Sequence, residues 1–136
     1  MHMQTTMKTC TDFTKANSIC ISTIVIDSKS FEIAALLNKN KIGNIYLNIE
    51  YDNNKPFFKL ELLNVKPAAR GLHIGSSLVN AAIDLAKSKK LNIKLVASPL
   101  GKKAPMTLAE LTKFYEKFGF KVYDTDGLNN YMIKYA

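Results

Sequence analysis

The segment from Phe57 to Ser76 restricts the possible folds more than any other part of the chain. Phe57 to Val65 is a nearly continuous apolar run of strand length. A strand apolar along most of its length belongs near the centre of a sheet. A loop over Lys66 to His73, marked by Pro67 and Gly71, follows it. The apolar residues then change period: Ile74, Leu78, Ala81, Ala82 and Leu85 recur on one face of a helix running to about Ser88. A central strand that feeds directly into a helix requires a sheet with helices packed on it. The chain has 136 residues and is 47% hydrophobic, which fits one such unit and no second domain.

The flanking segments complete that unit. Ile19–Ile26 is rich in β-branched residues and reads as a strand, followed by a turn at Asp27–Ser30. Phe31–Leu37 is a second strand and Asn38–Lys41 a hairpin connection. Ile42–Tyr51 alternates in its second half and reads as a half-buried strand, with a turn over Asp52–Pro56. Beyond the first helix, Asn92–Ser98 is a strand halted by Pro99. Thr107 and Glu110 form a T-x-x-E capping box, Met106 and Leu111 a staple, and Gly119 a left-handed stop. Leu108, Leu111, Tyr115 and Phe118 line one face of that second helix. Lys121–Tyr123 and Tyr131–Tyr135 are short closing strands. The expected class is α/β (or α+β) with a mixed sheet. Residues 1–18 are polar, threonine-rich and without period, and read as a loosely held arm with at most one helical turn. Met1-His2 ahead of Met3 reads as a cloning remnant with no role for His2.

Composition narrows the function. The 19 Lys+Arg exceed the 11 Asp+Glu, for a net charge of +8, but Arg70 is the single arginine. Base-edge readout leans on the planar arginine fork, so sequence-specific nucleic-acid binding is not expected. Two cysteines, Cys10 and Cys20, are too few for a disulfide framework and read as free, reduced thiols. With His2 and His73 as the only histidines, no cluster has metal-ligand spacing. No apolar run approaches membrane-spanning length, and the N-terminus has no secretory core. The expectation is a cytoplasmic chain with no metal and no membrane contact, as a monomer or homodimer.

The loop between the central strand and the first helix carries the chemistry. A helix N-terminus reached from a buried strand aims free backbone N–H groups and a positive dipole end at one point. Such a point suits a phosphate or pyrophosphate. Gly71 and Gly75 allow close approach, Ser76 offers a hydroxyl, and Arg70 can brace the loop or pair with a phosphate. The spacing matches neither a P-loop nor a dinucleotide fingerprint. By itself the loop fits an anion site and a plain strand-to-helix turn equally.

A second segment breaks that tie. Arg70-Gly71-Leu72-His73-Ile74-Gly75, followed in order by Phe114-Tyr115-Glu116-Lys117-Phe118-Gly119-Phe120, resembles the GCN5-related N-acetyltransferase (GNAT) family. Its signature loop is Arg/Gln-x-x-Gly-x-Gly/Ala, and its later motif reads like FYEKxGF. The resemblance covers about residues 57–120. It implies a mixed, mostly antiparallel twisted sheet with helices on both faces and splayed parallel strands at its centre. It further implies acetyl-CoA as cosubstrate and direct acetyl transfer to an amine through a tetrahedral intermediate.

The same resemblance assigns roles to residues. The backbone of Leu63 and Val65 pairs with the pantetheine arm and polarises the thioester carbonyl. The N–H groups of Gly71, Leu72, His73, Ile74, Gly75 and Ser76 hold the pyrophosphate. His73 stands where the signature has glycine, so a Cβ must fit that turn. Tyr115 protonates the departing thiolate, or is only a core aromatic. Glu61, an acid within the apolar run, is a general base if burial raises its pKa, or an ion-pair partner of Lys59.

Two features depart from the family or stay open. Only Asp27–Ser30 separates the first two strands, so the front helices are missing or shortened. An acceptor site open on that side suits a peptide, a protein tail or another large amine. The alternative is a degenerate member that binds CoA or an acidic partner without transfer. Lys87, Lys89, Lys90, Lys94, Lys102 and Lys103 lie in an acid-free stretch. They form a solvated face, meet the 3′-phosphate of CoA, or attract an acidic partner.

Overall fold

The computed structural model describes residues 6–14, 17–66, 73–99 and 106–136, with backbone alone for 6–14, 17, 18, 62 and 63. Among these residues ten elements occur in order: β1 (Thr6–Thr14), β2 (Asn17–Val25), β3 (Ser30–Leu37), β4 (Asn40–Asp52), β5 (Lys55–Val65), α1 (Ile74–Lys89), β6 (Ile93–Ala97), α2 (Leu108–Glu116), β7 (Lys121–Thr125) and β8 (Asn130–Lys134). They build one eight-stranded sheet in the order β1-β2-β3-β4-β5-β6-β8-β7. Its pairs are antiparallel except β5 with β6, which run parallel.

Local chemistry sets the turns. Asn38 and Lys39 both have positive φ, as do Asn53 and Asn54. Two successive left-handed residues match the twist of a tight hairpin, and asparagine tolerates that conformation well. At the second helix both arms of the capping box form: Glu110 N donates to Thr107 Oγ1 at 3.2 Å, and Thr107 N donates to Glu110 Oε1 at 3.0 Å. These bonds also hold the Glu110 carboxyl below its ordinary pKa, the backbone donor contributing most. Gly119 has φ +94° and ends the segment where a left-handed stop is expected.

Both helices sit on the same face of the sheet. A Cβ built on Gly43 of β4 would lie 3.2 Å from Ile74 and from Leu78 of α1. Gly43 shares its face with Ile45 and Leu47 by alternation, and register carries that face through Leu60, Leu95 and Met132. Asn130, two residues from Met132, donates to Thr112 Oγ1 of α2 at 2.9 Å. The topology explains this. The crossovers β5-α1-β6 and β6-α2-β7 step the same way across the sheet, and right-handed crossovers then place both helices on one side. Helices on both faces are the expectation from the resemblance. Four residues between β2 and β3 leave no helix there to cover the other face. Ile33, Ile45, Leu47, Phe58, Leu78 and Met132 are fully buried in the core.

Two further expectations are corrected near the N-terminus. Thr6–Thr14 is not helical: it pairs antiparallel with β2 as the sheet's edge strand. Threonine suits a pleated edge, and the partner that stabilises it lies outside the segment itself. The thiols are not free either. Cys20 is disulfide-bonded, and Cys10, the other cysteine, stands directly opposite it in the β1–β2 register.

Candidate active site

The site begins where two central strands part. β5 and β6 pair at three positions, Phe58 with Ile93, Lys59 with Lys94, and Leu60 with Leu95. Both continue as strands, β5 to Val65 and β6 to Ala97, without further pairing to each other. On its other side β5 stays bonded to β4, through a bulge in which Leu62 and Leu63 together face the single residue Ile45. A bulge bends its strand and re-aims the residues beyond it. The β6-facing backbone edge of β5 beyond Leu60 thus has no strand partner among the described residues. Leu63 and Val65 lie on that stretch, and Val65 is half-buried.

The N-terminus of α1 faces the same region. His73 is the N-cap residue, with φ 58° and ψ 28° and no side-chain cap hydrogen bond, and the first turn contains no acid. A left-handed residue stands where the family signature has glycine, which accounts for the signature's preference. The His73 carbonyl accepts from Ser77 N and Ser77 Oγ, each at 3.0 Å. His73 itself is exposed, Ile74 is buried in the core, and Gly75 and Ser76 are half-buried. Arg70, Gly71 and Leu72 lie outside the described residues.

The two motifs meet in space. A Cβ built on Gly75 would touch Phe114 Cζ at 3.6 Å, so the first turn of α1 packs on the aromatic end of α2. Tyr115 is buried, edge-on to Phe114 and Phe120 with centroids 5.2 Å and 5.8 Å away. Burial pushes its phenol up to about 12, so the hydroxyl keeps its proton at all ordinary pH.

Glu61 lies on the opposite face, which carries no helix among the described residues and is called the helix-free face below. Its side chain is 44% exposed. Alternation along β5 explains this: Phe58 and Leu60 turn inward, Lys59 and Glu61 outward. Lys59 Nζ stands 3.6 Å from one carboxylate oxygen, and Asn48 Nδ2 donates to the other at 3.0 Å. The ion-pair reading is therefore the one observed. Sequence reasoning missed Asn48, because only the β4–β5 register brings it to Glu61. It also missed Glu32 on β3, an 11% exposed carboxylate held by Lys41 at 2.6 Å and Asn44 at 3.0 Å. Those donors hold the Glu32 carboxyl below its ordinary pKa against the opposing effect of burial.

The lysine-rich stretch divides. Lys87, Lys89 and Lys90 sit at the C-terminal end of α1, whose 16 residues span about 24 Å, away from the anion-ready end. Lys94 lies on the helix-free face, and Lys102 and Lys103 lie outside the described residues. Among the described residues, no three His, Cys, Asp or Glu side chains group as a metal site, and no helix is long and apolar enough to cross a membrane.

The parting of β5 and β6 and the packing of Gly75 on Phe114 bring the two sequence motifs side by side. The acetyltransferase (GNAT) domain model matches residues 28–122, and the chain belongs to that family. Among solved structures it is similar to the PaiA N-acetyltransferase of Thermoplasma acidophilum in complex with coenzyme A, at 28% identity and a TM-score of 0.62, over 79% of this chain. It spans only 62% of the PaiA chain. Naa50 of Arabidopsis thaliana, solved with the bisubstrate analogue CoA-Ac-MVNAL, shares the fold at 23% identity and a TM-score of 0.58, over 75% of this chain and 70% of its own. The anti-CRISPR protein AcrVA5 is 26% identical with a TM-score of 0.60, over 78% of this chain and 98% of its own. No curated protein sequence matches the chain.

Proposed function

We propose that the chain is an acetyl-CoA-dependent N-acetyltransferase whose amine acceptor arrives on the helix-free face of the sheet. One observation supports this above all: Gly75 of the loop motif packs on Phe114 of the second motif, at the mouth of strands that separate beyond Leu60 and Leu95. Acetyl-CoA, when bound, supplies an activated acetyl thioester. The residues present fit it. The open backbone edge at Leu63 and Val65 offers strand-like pairing to an extended arm and an N–H donor for a developing oxyanion. The acid-free first turn of α1, with Ser76 and the adjoining Arg70–Leu72, suits a pyrophosphate. Tyr115 remains protonated and donates its proton toward a departing thiolate. Glu61, its carboxylate oriented by Asn48 and Lys59, attracts an ammonium entering from the open face rather than serving as a buried base. Residues 19–136 form the catalytic unit in this reading.

A thermal-shift titration with acetyl-CoA at moderate salt tests the reading, because a ligand that binds only the native state raises its melting temperature. The expected result is a clear rise, reduced more by Arg70→Ala than by any single lysine-to-alanine change. No shift at millimolar ligand rejects the reading. His73, a left-handed non-glycine residue at the signature position, favours the alternative of a chain that binds CoA without transfer. A shift without thiol release across a broad amine panel would select that alternative.

A further inference from the structure

The helix-free face carries a hollow of about 210 Å³ beside the paired part of β5 and β6. Its walls include Phe57, Tyr123 and Tyr131, with Glu50, Lys59 and Lys94. It is therefore next to the point where the strands diverge, not at that point. An ammonium already sits among its rings. Lys94 Nζ is 4.5 Å from the Phe57 centroid and 5.8 Å from that of Tyr123, and 3.2 Å from Asp52 Oδ2. Ring faces attract cations, and more so when water is partly excluded. Lys94 thus shows that this combination of rings and carboxylate holds an alkylammonium.

Charge points the same way. The chain carries +8 overall, which repels cations in general. This corner is different. Glu50 pairs with Phe57 across β4 and β5, Asp124 with Tyr131 across β7 and β8, and Asp126 accepts from the Tyr131 hydroxyl at 3.3 Å. With Asp52 and Glu61, these five acids exceed the nearby Lys55, Lys59, Lys94 and Lys121 by one.

We infer that this hollow is an anchor subsite for a second lysine of a peptide acceptor, two to four residues from the amine that is acetylated. Lys94 occupies the subsite until that lysine displaces it from Phe57 and Asp52. Spacing sets the interval: from the level of Lys59 and Lys94 to the open backbone beyond Leu60 is two to four strand residues, about 7–13 Å. Lysines at alternate positions of an extended peptide project to the same side over that distance. The inference rests on the transferase reading, and its test separates the two.

The probes are a blocked peptide with two lysines two residues apart, its analogue with one lysine replaced by norleucine, and spermidine. Binding is followed by tyrosine fluorescence without acetyl-CoA, and KM and kcat are then measured with it. The norleucine analogue is expected to bind about tenfold more weakly, with a raised KM and kcat within twofold. Lys94→Met removes the resident cation and is expected to tighten the two-lysine peptide severalfold, which a purely structural role for Lys94 would not do. Equal binding of peptide and analogue overturns the inference, as does weaker binding to Lys94→Met. Spermidine binding as tightly as the peptide overturns the peptide assignment. A norleucine effect without an acetyl-CoA thermal shift rejects the transferase reading alone. An intact shift with no norleucine effect rejects the anchor alone.

Discussion

Tyr115 shows how one side chain joins structure and chemistry. Its ring packs edge-on between Phe114 and Phe120, and its burial raises the phenol pKa to about 12. A folded-state pKa above the unfolded value near 10 contributes stability fully below pH 10, and that contribution is lost as pH rises through 12. Tyr115→Phe keeps the ring and removes the titration. Denaturation at pH 8 and pH 11.5 should therefore show the wild type losing roughly 2 kcal/mol more than the variant over that interval. The same variant should lower kcat by about 10²-fold or more if the phenol is the general acid, with acetyl-CoA binding little changed. Unchanged turnover would remove Tyr115 from the chemistry. The two motifs themselves were legible in the sequence, because each is local and their order is specific; their meeting at Gly75 and Phe114 was not. The setting of Glu61 was not: an apolar run with two charged residues does not say which face is covered, and that depends on helices far along the chain.

Elements held by local interactions were easy to read, and elements held by distant ones were not. The α2 cap needs only Thr107 and Glu110, three residues apart, and it forms as expected. The β1 strand needs β2 as its partner, and its threonine-rich sequence announces no period. The seat of α1 belongs to this second kind. Gly43 on β4 meets Ile74 and Leu78 so closely that an added Cβ would also stand 2.9 Å from the Asn64 carbonyl oxygen. That oxygen is backbone on the bulged strand and cannot swing aside. Gly43→Ala should therefore cost about 1–3 kcal/mol, read as a lower urea midpoint with an unchanged slope. By lifting the first turn of α1 away from β5 it should also reduce the acetyl-CoA thermal shift. A variant as stable as wild type would show that α1 has slack at this contact.

At the scale of the molecule, topology decides which face of the proposed transferase is left for an acceptor. Right-handed crossovers place α1 and α2 together, and the four-residue link from β2 to β3 leaves the second face without a helix among the described residues. Its hollow of about 210 Å³ is smaller than the roughly 300–1,000 Å³ pockets that enclose small ligands. A small amine at the diverging strands beside it would leave much of its surface in water and gain little binding energy to offset its lost freedom. An acceptor on a polypeptide instead spreads over the open strands and brings contacts beyond the reacting nitrogen. Lysine-containing peptides should therefore exceed free amino acids, polyamines and aminoglycosides in kcat/KM by at least about tenfold, with most of the difference in KM, because the extra contacts form before transfer and persist through it. A thiol-release assay over such a panel measures this directly. Efficient turnover of the small amines with poor turnover of peptides would reject the open face as the acceptor's route.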